Sequence, residues 1–314
     1  MRWRTPARFG PYEAPVNTKT RFARKSRAGG ISRSRPMNRL RGPYVPPRRY
    51  GRDPHHSHGT DSMKRAEIPP TLPPTPDDLA RRLRKLATQD DATPSRVQRL
   101  ELDGSVYWLK RPEHLTSLRW RIQKGDPRRA FDADLRGLRH LSERGVPVPE
   151  LVDTGPDHFI TKDAGPPLHL YLADATPEER TRAVAAAAET LAKLHHTGAR
   201  HGRPKLRDIC WDGETARLID MERFRARSGA WSMGLDWVIL LHSLLETRPN
   251  DIAAFGAAVR SYRATGPASA IAAGTRLMRT LGRASPFLGL MLRARPRNRE
   301  LAAAKDLPHA FARV

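Results

Sequence analysis

The stretch HGRPKLRDI, residues 201–209, decides how this chain is interpreted. It contains a histidine, a loop lysine and Asp208, and the segment LID, which ends in Asp220, follows a dozen residues later. The residues between the two aspartates predict a strand, a tight turn and a second strand. The two carboxylates are therefore expected at neighbouring loop and hairpin positions. Mg²⁺ prefers hard oxygen ligands and usually binds one or two carboxylates together with substrate phosphates, so this pair is a candidate metal site.

A strand, a turn and a return strand are predicted for residues 97–110, because apolar and polar side chains alternate on either side of Asp103-Gly104. The return strand ends in Lys110. Further elements follow in the order helix, strand, strand and inter-lobe hinge, at residues 130–144, 146–152, 158–161 and 162–167.

Helices dominate the rest of the chain. A short helix is predicted over 79–86, a long one from Pro177 to His195, and another beginning near Met233. Residues 251–314 are predicted to be helical and are strongly basic. Together with the strands, these helices predict an α+β fold.

This order of elements resembles the eukaryotic-like protein kinase superfamily over residues 96–245. Within it, the chain is similar to the bacterial lipopolysaccharide core (Kdo) kinases and to the RIO-type atypical kinases. The resemblance is carried by short motifs in the right order, VYWLK, FDAD, VPVP, LHH, HGRPKLRDI, LIDME and LD, which begin at residues 106, 131, 146, 194, 201, 218 and 235. It implies a two-lobed protein-kinase-like fold, with a small lobe at 76–165 and a large lobe at 166–314.

The resemblance also implies a nucleotide site that binds ATP. Lys110 corresponds to the lysine that contacts the α- and β-phosphates of ATP. Asp134 corresponds to the acidic helix residue that holds this lysine in place, and Asp132 is the competing choice. A glycine-rich phosphate loop is not visible, because Gly104 is the only glycine between residues 90 and 106 and belongs to a hairpin.

A kinase catalytic loop has the form HRDxxxxN and is followed by a metal-binding Asp. By this resemblance Asp208 and Asp220 bind Mg²⁺, and the catalytic residues are Asp208, Lys205 and Arg203. Lys205 corresponds to a loop lysine that contacts the γ-phosphate. Glu222 replaces the glycine that usually follows the metal-binding Asp, and it is a further candidate contact for metal or substrate.

Arg203 stands where the catalytic Asp is expected. A guanidinium cannot accept a proton from a substrate hydroxyl, because its pKa is above about 12. Three accounts stay open. Arg203 stabilises the transferring charge, or Asp208 serves as both metal ligand and base, or the domain is a pseudokinase. Two nearby residues, His201 and Asp236, are interpreted as structural, and Asp236 corresponds to a large-lobe aspartate that fixes the loop backbone.

The net charge of the 314-residue chain is +24. Residues 1–63 hold fifteen Lys and Arg side chains against three carboxylates, and the segment up to residue 75 is rich in Pro and lacks apolar periodicity. Such a segment cannot bury enough apolar surface to offset the entropy of ordering. Residues 1–75 are therefore predicted to form a disordered basic tail. This tail either binds a partner or has no specific role, and both possibilities stay open. Met63 is an alternative translation start.

A cytoplasmic location is expected, with peripheral contact to the inner membrane as a further expectation. Cys210 is the only cysteine, which excludes an internal disulfide and fits a reducing compartment. No secretory signal and no stretch of roughly 18 apolar residues is visible. Arginines alternate with apolar residues at 276–299. This pattern indicates either a surface for anionic lipid or lipopolysaccharide or a helix pair with a solvated basic face.

These expectations converge on an ATP- and Mg²⁺-dependent phosphotransferase that acts on a hydroxyl of a small molecule or glycolipid, such as a lipopolysaccharide core sugar. The alternative from another class is a catalytically silent kinase-fold module that binds nucleotide or an anionic partner. An atypical protein Ser/Thr kinase is less favoured, because the segment after Asp220 soon enters a helix and has no APE motif. Nucleic acid is not an expected partner.

Overall fold

The computed structural model describes residues 75–89, 95–113 and 126–314. The strands of these residues form two antiparallel sheets. The four-stranded sheet has the order β1-β2-β4-β3. Its strands are β1 Val97–Leu102, β2 Ser105–Lys110, β3 Leu151–Gly155 and β4 His158–Lys162. The second sheet is a hairpin of β5 Ile209–Trp211 and β6 Ala216–Leu218.

The β1–β2 hairpin closes at Asp103 and Gly104, whose φ values are 51° and 74°. Two successive positive φ angles match the right-handed twist of the flanking strands, and an Asp-Gly pair adopts them readily. The turn sets the register in which Leu102 faces Ser105. On its other edge β2 pairs with β4, so that Lys110 lies opposite Phe159 in the middle of the sheet.

Two helices cover the four-stranded sheet, and they cover opposite faces. Helix α1, Pro76–Gln89, packs Leu83 against Leu109 and other buried residues of one face. Helix α2, Pro127–Ser142, packs Phe131 against Phe159 of the other face, with the ring centroids 5.3 Å apart. Because side chains alternate along a strand, Lys110 lies on the α2 face.

The rest of the described chain is a helical lobe with a large apolar core. Helix α4, Pro177–His196, begins with a capping box between Thr176 and Glu179. Trp237 stacks on Tyr262 with a centroid distance of 4.6 Å, and both are fully buried. The helices of this lobe are α3 Leu168–Asp174, α4 Pro177–His196, α5 Ala230–Thr247, α6 Ile252–Thr265, α7 Ala268–Ala294 and α8 Arg299–Ala312.

Helices α5 and α7 are in close contact at two glycines. A Cβ on Gly234 would lie 2.5 Å from the backbone nitrogen of Gly274. A Cβ on Gly274 would lie 2.6 Å from the Trp237 ring. The absence of side chains at both positions therefore sets the helix separation, and α8 then packs against both helices, with Phe311 against Trp237.

The α+β fold predicted from the sequence is confirmed. The predicted strand at 146–152 is wrong in its start, since β3 begins at Leu151. Pro147 and Pro149 lack the N–H groups that a strand needs, although the carbonyl of Pro147 accepts a hydrogen bond from Leu218 N–H at 3.1 Å. The tail predicted at 1–75 lies, except for residue 75, outside the described residues. The lobe boundary at 165 stays a prediction.

Candidate active site

Lys110 is the centre of a partly buried ionic network. Its Nζ lies 2.5 Å from Asp134 Oδ2, 3.0 Å from Asp220 Oδ1 and 3.4 Å from Glu222 Oε1. Burial disfavours the charged amine, but Asp134 and Asp220 outweigh it, so the pKa of Lys110 lies above its ordinary value. The lysine is therefore held as a cation on the α2 face of the sheet.

Asp134 connects α2 to both Lys110 and the segment after Asp220. Its Oδ1 accepts a hydrogen bond from the backbone N–H of Met221 at 2.8 Å, and the residue is 2% exposed. One turn later, a Cβ on Gly137 would lie 2.7 Å from Met221 Cβ, so the glycine permits this close approach. The competing candidate Asp132 pairs with Arg128 on the same helix, at 3.2 Å.

Asp236, near the start of α5, fixes the backbone of the loop at 201–208. Asp236 Oδ2 accepts a hydrogen bond from His201 N–H at 2.7 Å, and Oδ1 accepts one from Gly202 N–H at 3.1 Å. His201 Nε2 lies 3.0 Å from the carbonyl oxygen of Ile219, which ties the loop to the hairpin. Gly202 has a φ of 98°, and a Cβ there would lie 2.7 Å from the carbonyl oxygen of Arg223. Glycine is the residue that fits.

The two candidate metal ligands, Asp208 and Asp220, have opposite electrostatic environments. Burial and the nearby Asp220 carboxylate raise the pKa of Asp208. Burial also acts on Asp220, but Lys110 outweighs it and lowers the pKa of that carboxyl. Asp208 Oδ2 is buried and forms no hydrogen bond within the described part of the chain.

Asp220 has a φ of 61°, a left-handed backbone conformation that costs most non-glycine residues free energy. Asp tolerates it better than most residues, and such strain clusters at functional sites. The strained backbone occurs where this segment makes contacts with Lys110, through Asp220 and Glu222, and with Asp134, through Met221 N–H.

The guanidinium of Arg203 contacts both carboxylates of the candidate metal pair. Its Nε lies 3.8 Å from Asp208 Oδ2, and its Nη2 lies 3.6 Å from Asp220 Oδ2. These are ion-pair distances, longer than hydrogen bonds. The residue at the position of the expected catalytic Asp therefore brings a positive charge to the two carboxylates.

Lys205 has two carboxylate partners in the helical lobe. Its Nζ lies 2.9 Å from Glu300 Oε1, at the start of α8, and 3.4 Å from Glu246 Oε2 in α5. Its contact with a γ-phosphate stays a prediction. The sequence did not point to Glu246 or Glu300, because they lie 41 and 95 residues away from Lys205.

Arg96 is a further site residue that sequence reasoning missed. It pairs with Glu222, one of the carboxylates around Lys110, and precedes β1 by one residue. A lone arginine before a strand gives no sequence signal for this role. In the described chain the element before β1 is the helix α1, and not a further strand that could form a glycine-rich pair with β1. On this side of the site the described residues therefore provide Arg96 and Lys110.

The residues present fit a Mg²⁺ ion whose remaining ligands would be phosphate and water oxygens. Asp208 and Asp220 supply hard oxygen donors, and the buried Asp208 Oδ2 lacks a hydrogen-bond donor. No group of three or more His, Cys, Asp and Glu side chains in the described residues forms a metal cluster. Mg²⁺ binds this way in many phosphotransferases, through one or two carboxylates plus substrate phosphates.

Comparisons with known proteins add a relative and a group of distant structures. No family model matches the chain. An uncharacterised protein of Haemophilus influenzae is 29% identical over 171 residues, which are 54% of this chain and 69% of that protein.

Three solved structures of WbdD, one of them with a kinase inhibitor and one described as a bifunctional kinase-methyltransferase, match at 12% identity. Their TM-scores are 0.36 to 0.38, and the matches cover 54 to 57% of this chain. The chain spans less than half of the length of these structures, 44 to 46%. Matches with TM-scores this low say nothing further about the fold or the function of this chain.

Proposed function

We propose that this protein is an ATP- and Mg²⁺-dependent phosphotransferase that transfers the γ-phosphoryl group of ATP to a hydroxyl of a small molecule or glycolipid. The observation that supports it most is the network in which Lys110 contacts Asp134 at 2.5 Å and Asp220 at 3.0 Å. Residues from β2, α2 and the segment after β6 meet there, next to the buried Asp208. A kinase-type site requires these same three parts.

Each residue has a physical task in this proposal. Lys110, held charged by two carboxylates, offers a point cation to phosphate oxygens. Asp208 and Asp220 would hold Mg²⁺, which would supply the positive charge that neutralises charge developing on the phosphate oxygens. Asp236 holds the loop in the geometry that Asp208 needs, because its carboxylate accepts hydrogen bonds from the backbone N–H groups of His201 and Gly202.

Arg203 acts as a cation in this proposal and not as a base. A guanidinium can donate two parallel hydrogen bonds to a phosphoryl group. Phosphoryl transfer depends mainly on positioning and electrostatic stabilisation, so an arginine at this position is compatible with catalysis. Arg203 lies within 3.8 Å of both Asp208 and Asp220 and is one-third exposed, which leaves its side chain free to turn towards a substrate.

A pseudokinase is the second candidate, and one observation favours it. Arg203 already places a positive charge against the two carboxylates that Mg²⁺ would bind. In a binding module this ion pair would substitute for the metal. An atypical protein kinase is disfavoured by the nine residues between Asp220 and α5, a short segment for positioning a peptide substrate.

Transfer of radiolabelled γ-phosphate from ATP to purified lipopolysaccharide tests the proposal directly. We expect transfer by the wild-type protein with Mg²⁺, and a loss of at least about a hundredfold in Asp220→Asn, because the metal and Lys110 both lose a charged partner. Asp306→Asn, an exposed carboxylate in α8, is the control and should keep full activity.

The two candidates differ in what this assay returns. Transfer that depends on Asp220 supports the enzyme. ATP binding without transfer to lipopolysaccharide, to smaller sugar acceptors or to protein would contradict it and support the pseudokinase.

A further inference from the structure

Helix α7 exposes a stripe in which large apolar side chains follow arginines. Arg279, Arg283 and Phe287 lie four residues apart, Leu290 and Met291 follow Phe287 by three and four residues, and all five share one exposed face. The exposed fractions of the three apolar residues are 64%, 61% and 39%. We call these five residues the α7 stripe. Apolar side chains of this size on one exposed face usually indicate an interaction site.

The charged side chains of the segment that contains the α7 stripe have a single sign. Residues 252–299 contain nine arginines and no Lys, Asp or Glu. None of the arginines from Arg276 to Arg299 forms an ion pair with another described residue. A partner of this surface must therefore provide negative charge together with an apolar phase.

The turn that follows helix α7 is connected to the candidate active site through the start of α8. The Glu300 carboxylate accepts a hydrogen bond from the Lys205 ammonium at 2.9 Å, and the carbonyl oxygen of Glu300 lies 2.8 Å from His242 Nε2. The arginine-rich turn between α7 and α8 therefore adjoins the loop that contains Arg203 and Asp208. A partner bound at the stripe and the turn would lie close to the site.

We propose that the α7 stripe is a docking surface for an anionic lipid membrane. Phe287, Leu290 and Met291 would enter the boundary between headgroups and acyl chains, while the arginines contact lipid phosphates. A second copy of the chain would bring like charge to the surface, and so would the basic residues 1–63. A nucleic acid would satisfy the arginines but would leave the aliphatic side chains in water. No helix of the described residues meets the length and apolarity that a membrane span requires, so this contact would be peripheral.

Sedimentation of the full-length protein with vesicles tests the surface. We expect binding to vesicles of phosphatidylcholine mixed with phosphatidylglycerol and weak binding to phosphatidylcholine alone, with a decrease at high salt. Phe287→Ser with Leu290→Ser, and separately Arg279→Gln with Arg283→Gln, should each weaken the partition by about tenfold or more. Matched controls are Ile252→Ser, which is 46% exposed, and Arg136→Gln with Arg182→Gln.

A second measurement separates the stripe from the basic N-terminal residues, which are also attracted to anionic vesicles. Burial raises the pKa of the only cysteine, Cys210, to about 12, so it reacts poorly with thiol reagents. An environment-sensitive dye on Leu290→Cys should report an apolar environment when anionic vesicles are added, and the same dye on Ile252→Cys should not.

Three results would overturn the proposal. One is an unchanged dye signal at position 290 while the protein sediments with vesicles. The second is equal binding of the Phe287→Ser, Leu290→Ser variant and the wild type. The third is a dye response to an RNA oligonucleotide that matches or exceeds the response to anionic vesicles. None of these readouts needs ATP or turnover, so they are independent of the proposed phosphotransferase activity.

Discussion

At the residue scale, Asp208 and Asp220 are two carboxylates of one site that affect folding in opposite directions. Asp208 is buried near a like charge and has an oxygen without a hydrogen-bond donor, so its charged form destabilises the fold. Asp220 is compensated by Lys110. A residue that costs stability is expected where a ligand later supplies the missing interaction.

We therefore predict opposite stability effects for two isosteric substitutions. Asp208→Asn should raise the free energy of unfolding by about 1 kcal/mol, and Asp220→Asn should lower it by about 1 kcal/mol. Urea unfolding at neutral pH measures both, with Asp306→Asn as the control expected within about 0.5 kcal/mol of wild type. Destabilisation by Asp208→Asn would contradict the view that this carboxylate is kept for a ligand.

The contribution of Asp220 should depend on pH in a defined way. Its pKa is lowered in the folded protein, so its stabilisation is present above the ordinary pKa of 3.8 and is lost as the pH falls through the folded value. The difference in unfolding free energy between wild type and Asp220→Asn should therefore shrink below about pH 4. Urea unfolding from pH 7 down to the acid limit measures this difference, and a constant difference would count against the ion pair with Lys110.

Arg203 should compete with a divalent cation for the two carboxylates. Removing its charge in Arg203→Gln should strengthen Mn²⁺ binding without nucleotide by about tenfold, since a cation near 4 Å from both oxygens is lost. Electron paramagnetic resonance of free Mn²⁺ measures the affinity, and Arg136→Gln controls for net charge. Weaker or unchanged binding would show that Mn²⁺ does not bind where Arg203 lies.

At the element scale, the approach of α2 to the segment after Asp220 positions Asp134 and through it Lys110. Gly137 permits this approach, because a Cβ there would lie 2.7 Å from Met221 Cβ. Met221 is fully buried, so the clash cannot be relieved by a movement into solvent. The helix and the segment would have to separate.

We predict that Gly137→Ala costs about 1–3 kcal/mol of unfolding free energy and also weakens ATP binding. The matched control is Gly289→Ala in α7, where the nearest atom to a new Cβ is Lys305 Cε at 3.9 Å. Alanine at that half-buried helical position, which has room for a Cβ, should be neutral or stabilising by up to about 1 kcal/mol. Equal effects of the two substitutions, measured by urea unfolding and ATP titration, would contradict the positioning role of α2.

Local patterns in the sequence predict elements well where one signal dominates. The bounds of β1 and β2 follow from alternating side chains and the Asp-Gly turn. The apolar residues near Val146 favour a strand that starts there, but Pro147 and Pro149 disfavour it. The predicted start of β3 is therefore too early. The site residues could be predicted only where they belong to a recognisable sequence motif. The contact of Lys205 with Glu300 and the pairing of Arg96 with Glu222 depend on the fold and leave no local pattern.

At the scale of the whole molecule, a few buried polar contacts connect the sheet and the helical lobe at the site. Lys110 and Asp134 come from the sheet side, and Asp220 and Met221 come from the segment that leads to α5. A second link is the hydrogen bond from Leu218 N–H in β6 to the carbonyl oxygen of Pro147, at 3.1 Å. A ligand held by Lys110, Asp208 and Asp220 would therefore stabilise both parts together.

The most direct test of the proposed function is a thermal-shift titration of the full-length protein with ATP and Mg²⁺, alone and together, beside Asp220→Asn. A ligand that binds only the folded state raises the melting temperature according to its concentration and affinity. We predict a rise that needs both ATP and Mg²⁺ and that disappears in Asp220→Asn. No rise under any condition, or the same rise in the variant, would contradict a nucleotide and metal site at Asp208 and Asp220.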